Sequence, residues 1–218
     1  LLVIFLVKDV SISEERRNRK VQLISDLKEA LQNKGIIFTM LMFFLIQVCV
    51  MLLQPLITMY VGQLMGKVDD EAVQMAGIIF SLAGISGILA APFWGKRGQQ
   101  YGYVRTFCYI TMGAGVVNLF QFFTTDVYQF AVVQFVYGLF LAGAIPNINA
   151  NLADVTDQSI RGKAFGLVTS AQMAGGFVGP LLGGALGHVL PTRLVIICAG
   201  VILIVMSVFT YLNKVKTK

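Results

Sequence analysis

Six intervals of this sequence contain no Asp, Glu, Lys or Arg: residues 35–66, 72–95, 106–125, 127–153, 164–192 and 194–213. Each reaches the ~20 mostly apolar residues that an α-helix needs to cross the hydrocarbon core of a bilayer. Inside lipid every backbone N–H and C=O must find a partner within the protein, so only helices and closed β-barrels span it. These runs are continuously apolar and lack the period-two alternation of a barrel strand. The expected fold is an all-α integral membrane bundle of six transmembrane helices, placed near 36–61, 72–94, 104–123, 127–150, 163–187 and 192–213.

Composition agrees. Of 218 residues, 56% are apolar and 13% charged, and the mean hydropathy is +0.76. Soluble domains carry about 25% charged residues, so an ordinary soluble enzyme is excluded, and disorder requires low hydrophobicity. The net charge of +6 would suit a nucleic-acid binder, but the basic residues flank the spans, so no nucleic-acid partner is expected. Cys49, Cys108 and Cys198 sit in apolar runs with no metal-ligand spacing. Neither a disulfide framework nor a metal site is implied.

Lys and Arg set the orientation. If the segment after Val7 is cytoplasmic, every one of the 17 Lys and Arg residues except Lys67 and Arg193 falls on the cytoplasmic side. The chain is then a multi-pass protein of the plasma membrane with both ends of the six-helix block inside the cell. Leu1 to Val7 are all apolar and stop at Lys8-Asp9. They read as the end of a preceding transmembrane helix, which makes the sequence the C-terminal part of a longer protein. Residues 8–35 read as a cytoplasmic loop, 36–213 as the bundle and 214–218 as a cytoplasmic tail. Within the loop, Val21, Ile24, Leu27 and Leu31 share a helix face.

No charged side chain lies deep within the predicted helices, so the proton relays and buried counter-ions typical of pumps are missing from this portion. His188, near the outer end of the fifth helix, reads as interfacial. Neutral polar residues are periodic instead. Gln47, Met51, Gln54 and Thr58 share a face of the first helix, Gln134, Tyr137 and Leu141 one of the fourth, and Phe165, Thr169, Gln172 and Gly176 one of the fifth. Pro146, Asn147, Asn149 and Asn151 follow near the cytoplasmic end of the fourth helix. Amides facing lipid are costly, so these stripes face protein or a cavity. The substrate-binding candidates are Gln47, Met51, Gln54, Gln134, Tyr137 and Gln172, with interhelical hydrogen bonding as the alternative role. Gly175, Gly179, Gly183 and Gly187 recur every four residues along the fifth helix. Such a ladder admits a close neighbour, and Pro180 within it favours a kink. Tight packing and a moving hinge both fit.

Two segments carry a family resemblance. The loop after the second helix reads Gly95-Lys-Arg-Gly-Gln-Gln-Tyr-Gly-Tyr-Val-Arg105, and the fifth helix contains Gly175-Gly-Phe-Val-Gly-Pro-Leu-Leu-Gly-Gly184. The first resembles the loop signature of the major facilitator superfamily and the second its antiporter motif, GxxxGPxxGG. Ala91-Pro-Phe-Trp-Gly95 and Pro146-Asn-Ile-Asn-Ala150 look like bacterial multidrug efflux members. The resemblance covers nearly the whole chain and implies the second six-helix half of a twelve-helix transporter. Its missing N-terminal half would be a partner, residues 8–35 the central loop, and the halves would rock about a midplane site. The family's loop Asp falls at Gln99, so the carboxylate that pairs with arginines is absent. Asp154 could supply that charge, paired with Lys96, Arg97, Arg105 or Arg161. The gating candidates are thus Gly95, Gln99, Gly102, Arg105, Asp154, Arg161, Gly175, Gly179, Pro180, Gly183 and Gly184.

The function implied is proton-coupled efflux of hydrophobic or cationic drug-like compounds, with no cofactor beyond the proton gradient and the coupling carboxylates in the other half. A sugar or metabolite facilitator or symporter of the same superfamily is the alternative, and a non-transporting scaffold a more distant one. No HExxH, GxSxG, Walker or GxGxxG motif is present, so no enzymatic or catalytic residues are expected.

Overall fold

The computed structural model describes residues 32–216, with side chains through residue 213. The expected helix end at residues 1–7, the amphipathic stretch from Val21 to Leu31 and the last residues of the tail lie outside the described residues. In chain order the elements are α1 (Lys34–Met65), α2 (Asp70–Tyr101), α3 (Tyr103–Phe120), a 3₁₀ turn (Gln121–Phe123), α4 (Val127–Leu141), α5 (Ala144–Val155), α6 (Arg161–Val189) and α7 (Thr192–Lys216). Among the described residues six helical segments are long and apolar enough to cross a membrane, with α4 and α5 together making one.

The helix starts are written in the sequence. Asn33 caps α1, its side-chain oxygen accepting from the Gly35 and Ile36 N–H groups at 2.9 and 3.4 Å. Asp69 caps α2 by accepting from Ala72 N–H at 3.1 Å, and Asp126 caps α4 through Tyr128 N–H at 2.9 Å. Each satisfies a backbone donor that the first turn leaves free. The Ala72 N–H, more than Lys67, holds the exposed Asp69 carboxyl below its usual range. Gly66 ends α1 at φ 71°, where a left-handed cap favours glycine.

Two boundaries differ from expectation. The second helix does not stop near residue 94 but runs through Gly95 and Gln99 to Tyr101, and a single residue, Gly102 at φ 89°, turns the chain into α3. The Gly95–Arg105 segment is therefore mostly helix: its residues other than glycine have ordinary helical propensity, and only Gly102 adopts a conformation that breaks the ladder. The fourth span, expected as one helix over 127–150, is broken at Ala142–Gly143. Pro146 favours a break here, since it has no N–H for the Ala142 carbonyl and its ring would crowd that oxygen. Proline alone does not decide: α6 runs unbroken through Pro180.

The tightest packing joins α1 to α6. A Cβ on Gly175 would lie 2.6 Å from the Phe44 carbonyl oxygen, one on Gly179 2.7 Å from Met51 Cβ, and one on Gly183 would land on the Leu52 carbonyl oxygen. The glycine ladder thus serves close backbone approach, where van der Waals contact holds membrane helices together. A second such contact, without a comparable ladder in the sequence, joins α3 to α7: a Cβ on Gly115 would lie 2.8 Å from the Gly200 oxygen. Two apolar clusters fill the interior, one around Phe43, Ile46, Phe107 and Leu203 and the other around Leu52, Tyr60, Phe130 and Ile196. Ile78, Ile85, Ile88 and Leu89 of α2 and Met173, Phe177 and Leu181 of α6 stay exposed.

Candidate substrate cavity

An open pocket of about 390 Å³ lies between α1, α2, α4 and the start of α5. Gln47, Met51 and Gln54 line it from α1, Phe80, Gly84 and Gly87 from α2, Gln134, Tyr137 and Gly138 from α4, and Ala142, Ala144 and Ile145 at the break. Five of the six residues expected to bind substrate therefore meet at one concavity. The sixth, Gln172 on α6, stands behind it and donates from Nε2 to Gln47 Oε1 at 3.4 Å. Thr58, one turn beyond Gln54, is not part of the lining.

The polar groups differ in how they are held. Gln134 is 5% exposed and accepts through Oε1 from Gln121 Nε2 at 2.8 Å. Gln121 belongs to a buried set at one end of the bundle. Its carbonyl accepts from Thr124 Oγ1 at 2.7 Å, Tyr60 Oη lies 3.2 Å from Thr124 Oγ1, and Arg193 donates to the Thr124 carbonyl at 3.2 Å. Gln134 is thereby oriented from behind, with its NH₂ group left for other partners. Tyr137 is equally buried, and its hydroxyl has no hydrogen-bond partner among the described residues. An unpaired polar atom in an apolar setting is costly, and this one is shielded from the open pocket that the residue helps to line.

The α4–α5 break also shapes the pocket, and α2 holds it in place. The Trp94 indole N–H donates to the Leu139 carbonyl at 2.7 Å, an oxygen that a continuous helix would have paired with the Gly143 N–H. That N–H instead closes a tighter turn onto the Phe140 carbonyl at 3.3 Å. Asn147 donates from Nδ2 to the Gly143 carbonyl at 2.7 Å and to the Trp94 carbonyl at 3.3 Å. Its Oδ1 rests against Gly98, where a Cβ would collide with it. Irregular backbone at membrane depth is tolerated only where protein covers it or a cavity adjoins it, and both hold here. In the sequence Asn147 and Gly98 fall within segments read for their family resemblance and, for Asn147, as one of a polar group; nothing there points to their contact. The closest available signal is the Pro146-Asn147 pair.

The gating candidates are scattered. Gly95 has nothing within 4 Å of where a Cβ would be, and Gln99 and Arg105 are exposed. Gly184 likewise faces open space, unlike Gly183 beside it. The pairing expected for exposed Asp154 is not formed. Among the described residues, the ion pairs join Lys67 to Asp69 and Glu71, and none links Asp154 to Lys96, Arg97, Arg105 or Arg161. Two of those cations are engaged elsewhere. Arg161 donates to the Ala153 carbonyl at 3.0 Å, and Arg97 lies over the Phe93 and Tyr101 rings.

A family model described as Major Facilitator Superfamily matches residues 36–218. The chain belongs to the Major Facilitator Superfamily. The six-helix bundle is consistent with one half of that superfamily's fold, and the chain is a multi-pass membrane protein of a transporter family. Among curated proteins it is similar to the uncharacterized MFS-type transporter YuxJ of Bacillus subtilis, 30% identical over 185 residues and 84% of this chain. It is also similar to the multidrug resistance protein MdtG of Serratia proteamaculans, 33% identical over 70% of this chain, and to MdtG of Dickeya zeae, 29% identical over 73%. The chain spans 47%, 37% and 39% of the lengths of those three relatives.

Proposed function

We propose that the chain is the C-terminal half of a proton-coupled exporter of hydrophobic or cationic drug-like compounds, acting by alternating access in the cell membrane. The observation that carries this reading is the open pocket: apolar and aromatic walls with amides, and no charged side chain in its lining. Such walls accept varied shapes, because Met and aromatic surfaces adapt and few polar groups dictate orientation. The similarity to proteins named for multidrug resistance supports efflux. The coupling carboxylates and the opposite wall of the cavity belong to a second six-helix half, with residues 8–35 as the cytoplasmic loop joining them. The cytoplasmic side is the one bearing Lys96, Arg97, Arg105 and Arg161. There the contacts around Gly102 and Asp154 would open and close as the halves rock, while Gly175, Gly179 and Gly183 keep α6 moving with α1.

The test is transport by the full-length protein in everted membrane vesicles. A fluorescent lipophilic cation should accumulate when the vesicles are energised, and a protonophore should abolish the accumulation. Gln134→Leu should raise the apparent KM several-fold at unchanged protein level. Sugar uptake indifferent to the protonophore would select the nutrient facilitator, and transport of neither would leave a scaffold role.

A further inference from the structure

A second concavity, of about 340 Å³, opens on the outside of the bundle between the end of α2 and the start of α3, lined by Phe93, Trp94, Arg97, Tyr101, Thr106 and Tyr109. Phe93, Arg97 and Tyr101 recur every four residues and so form one stripe of α2, apart from the Phe80, Gly84 and Gly87 positions that line the transport pocket. The Arg97 guanidinium is held by aromatic groups alone. It lies 5.2 Å from the Phe93 ring centre and 5.4 Å from that of Tyr101, and it donates to the Tyr101 hydroxyl at 3.1 Å. It makes no ion pair among the described residues. Residues 95–105 contain Lys96, Arg97 and Arg105 but no acid, because Gln99 stands where a carboxylate would have quenched the charge. Tyr109 also borders a second groove, of about 230 Å³ between α3 and α7, lined chiefly by apolar side chains such as Met112, Val208 and Leu212.

We propose that this surface binds an anionic phospholipid, its phosphate on Arg97 and its two acyl chains in the grooves on either side of Tyr109. A guanidinium fixed over rings is pre-organised to fork onto phosphate oxygens, and the aromatic wall beneath it takes hydrocarbon. The absence of any acid from residues 95–105 selects a lipid with net negative charge over a zwitterionic one, whose own ammonium would find no carboxylate in that segment. The cytoplasmic leaflet, rich in anionic lipid, attracts each basic residue near its surface. The site is independent of whether the transport pocket carries drugs or nutrients.

Trp94 is the single tryptophan of this chain and lines the groove, so its fluorescence reports occupancy directly. The full-length protein, with any tryptophan elsewhere replaced by Phe, is reconstituted in phosphatidylcholine bilayers and titrated with brominated phosphatidylglycerol or brominated phosphatidylcholine. Phosphatidylglycerol should half-quench Trp94 at about fivefold lower mole fraction, the preference one cation gains near an anionic lipid. Arg97→Gln, a change at an exposed position, should erase that difference while leaving quenching by phosphatidylcholine unchanged. Arg105→Gln should reduce it in part. Inorganic phosphate added at constant ionic strength should leave it intact. Equal quenching by both lipids, or a preference that survives Arg97→Gln, would overturn the proposal. So would a preference erased by inorganic phosphate, which would make a free anion the occupant.

Discussion

Two adjacent glycines of α6 should respond to the same substitution in opposite ways. At Gly183 an added Cβ lands on the Leu52 carbonyl oxygen and comes within 3.1 Å of the Leu52 carbonyl carbon and 3.3 Å of its Cα. All of these are α1 backbone atoms, which no rotamer change can move aside, so the two helices must separate over the length of their contact. Overpacking of this kind costs about 1–3 kcal/mol. At Gly184 nothing lies within 4 Å, so Ala creates no clash. Alanine's helical advantage over glycine is at most about 0.5–1 kcal/mol, and it shrinks where the denatured state keeps its helices. Gly183→Ala should therefore be less stable than Gly184→Ala by about 2 kcal/mol, or roughly thirtyfold in the folding equilibrium constant. Titration of mixed micelles with dodecyl sulfate, followed by tryptophan fluorescence, measures both. Equal midpoints would refute the claim that the ladder exists to bring the α1 and α6 backbones together. Gly179→Ala, whose Cβ meets Met51 Cβ at 2.7 Å and Leu52 N at 3.1 Å, should behave like Gly183→Ala.

Tyr137→Phe should leave stability within about 0.5 kcal/mol, because it removes a buried hydroxyl with no partner and no hydrogen bond is lost. Trp94→Phe should destabilise by about 1 kcal/mol or somewhat more, since it strips the donor from the Leu139 carbonyl while keeping an aromatic ring; a dodecyl sulfate titration followed by far-ultraviolet circular dichroism reads it. The lowered pKa of Asp69 means that its N-cap contribution is complete above the usual carboxylate range and is lost as pH falls through the lowered folded value. Stability of the parent protein should thus decline at the acid end of a pH series. Asp69→Asn, which caps without titrating, should flatten that limb, and an unchanged acid limb in the variant would place the loss elsewhere.

The spans were legible because lipid imposes a demand that each segment meets within itself. Uncharged stretches such as 35–66 and 194–213 must be helices whatever surrounds them. Side-chain periodicity along one helix needs no partner to be read, so Gln47, Met51 and Gln54 could be assigned to one face, as could Gln134 and Tyr137. Tertiary structure decided that these two faces meet at one pocket while Gln172, equally polar and equally periodic, sits behind it. The same limit applies to glycine: Gly183 and Gly184 are neighbours of identical chemistry, and only the position of α1 makes one indispensable and the other free.

The break in the fourth span shows where local chemistry stops. Reasoning from a single proline ring is insufficient, because Pro180 and Pro146 make the same local conflict and only the latter interrupts its helix. At the break before Pro146 the Leu139 carbonyl, released by the Gly143 N–H, finds the Trp94 indole of α2, whereas α6 stays continuous against α1. That Asp154 pairs with none of its four candidate cations among the described residues has a similar cause, since charge counting names the candidates but distance selects among them. What the sequence determined by itself is that the chain carries six helices long and apolar enough to cross a membrane, which faces carry amides, and at which ends of the spans its cations gather. Which helices touch, which polar groups share a cavity and where the backbone bends are set by contacts between residues far apart in the chain, and no local pattern encodes those distances.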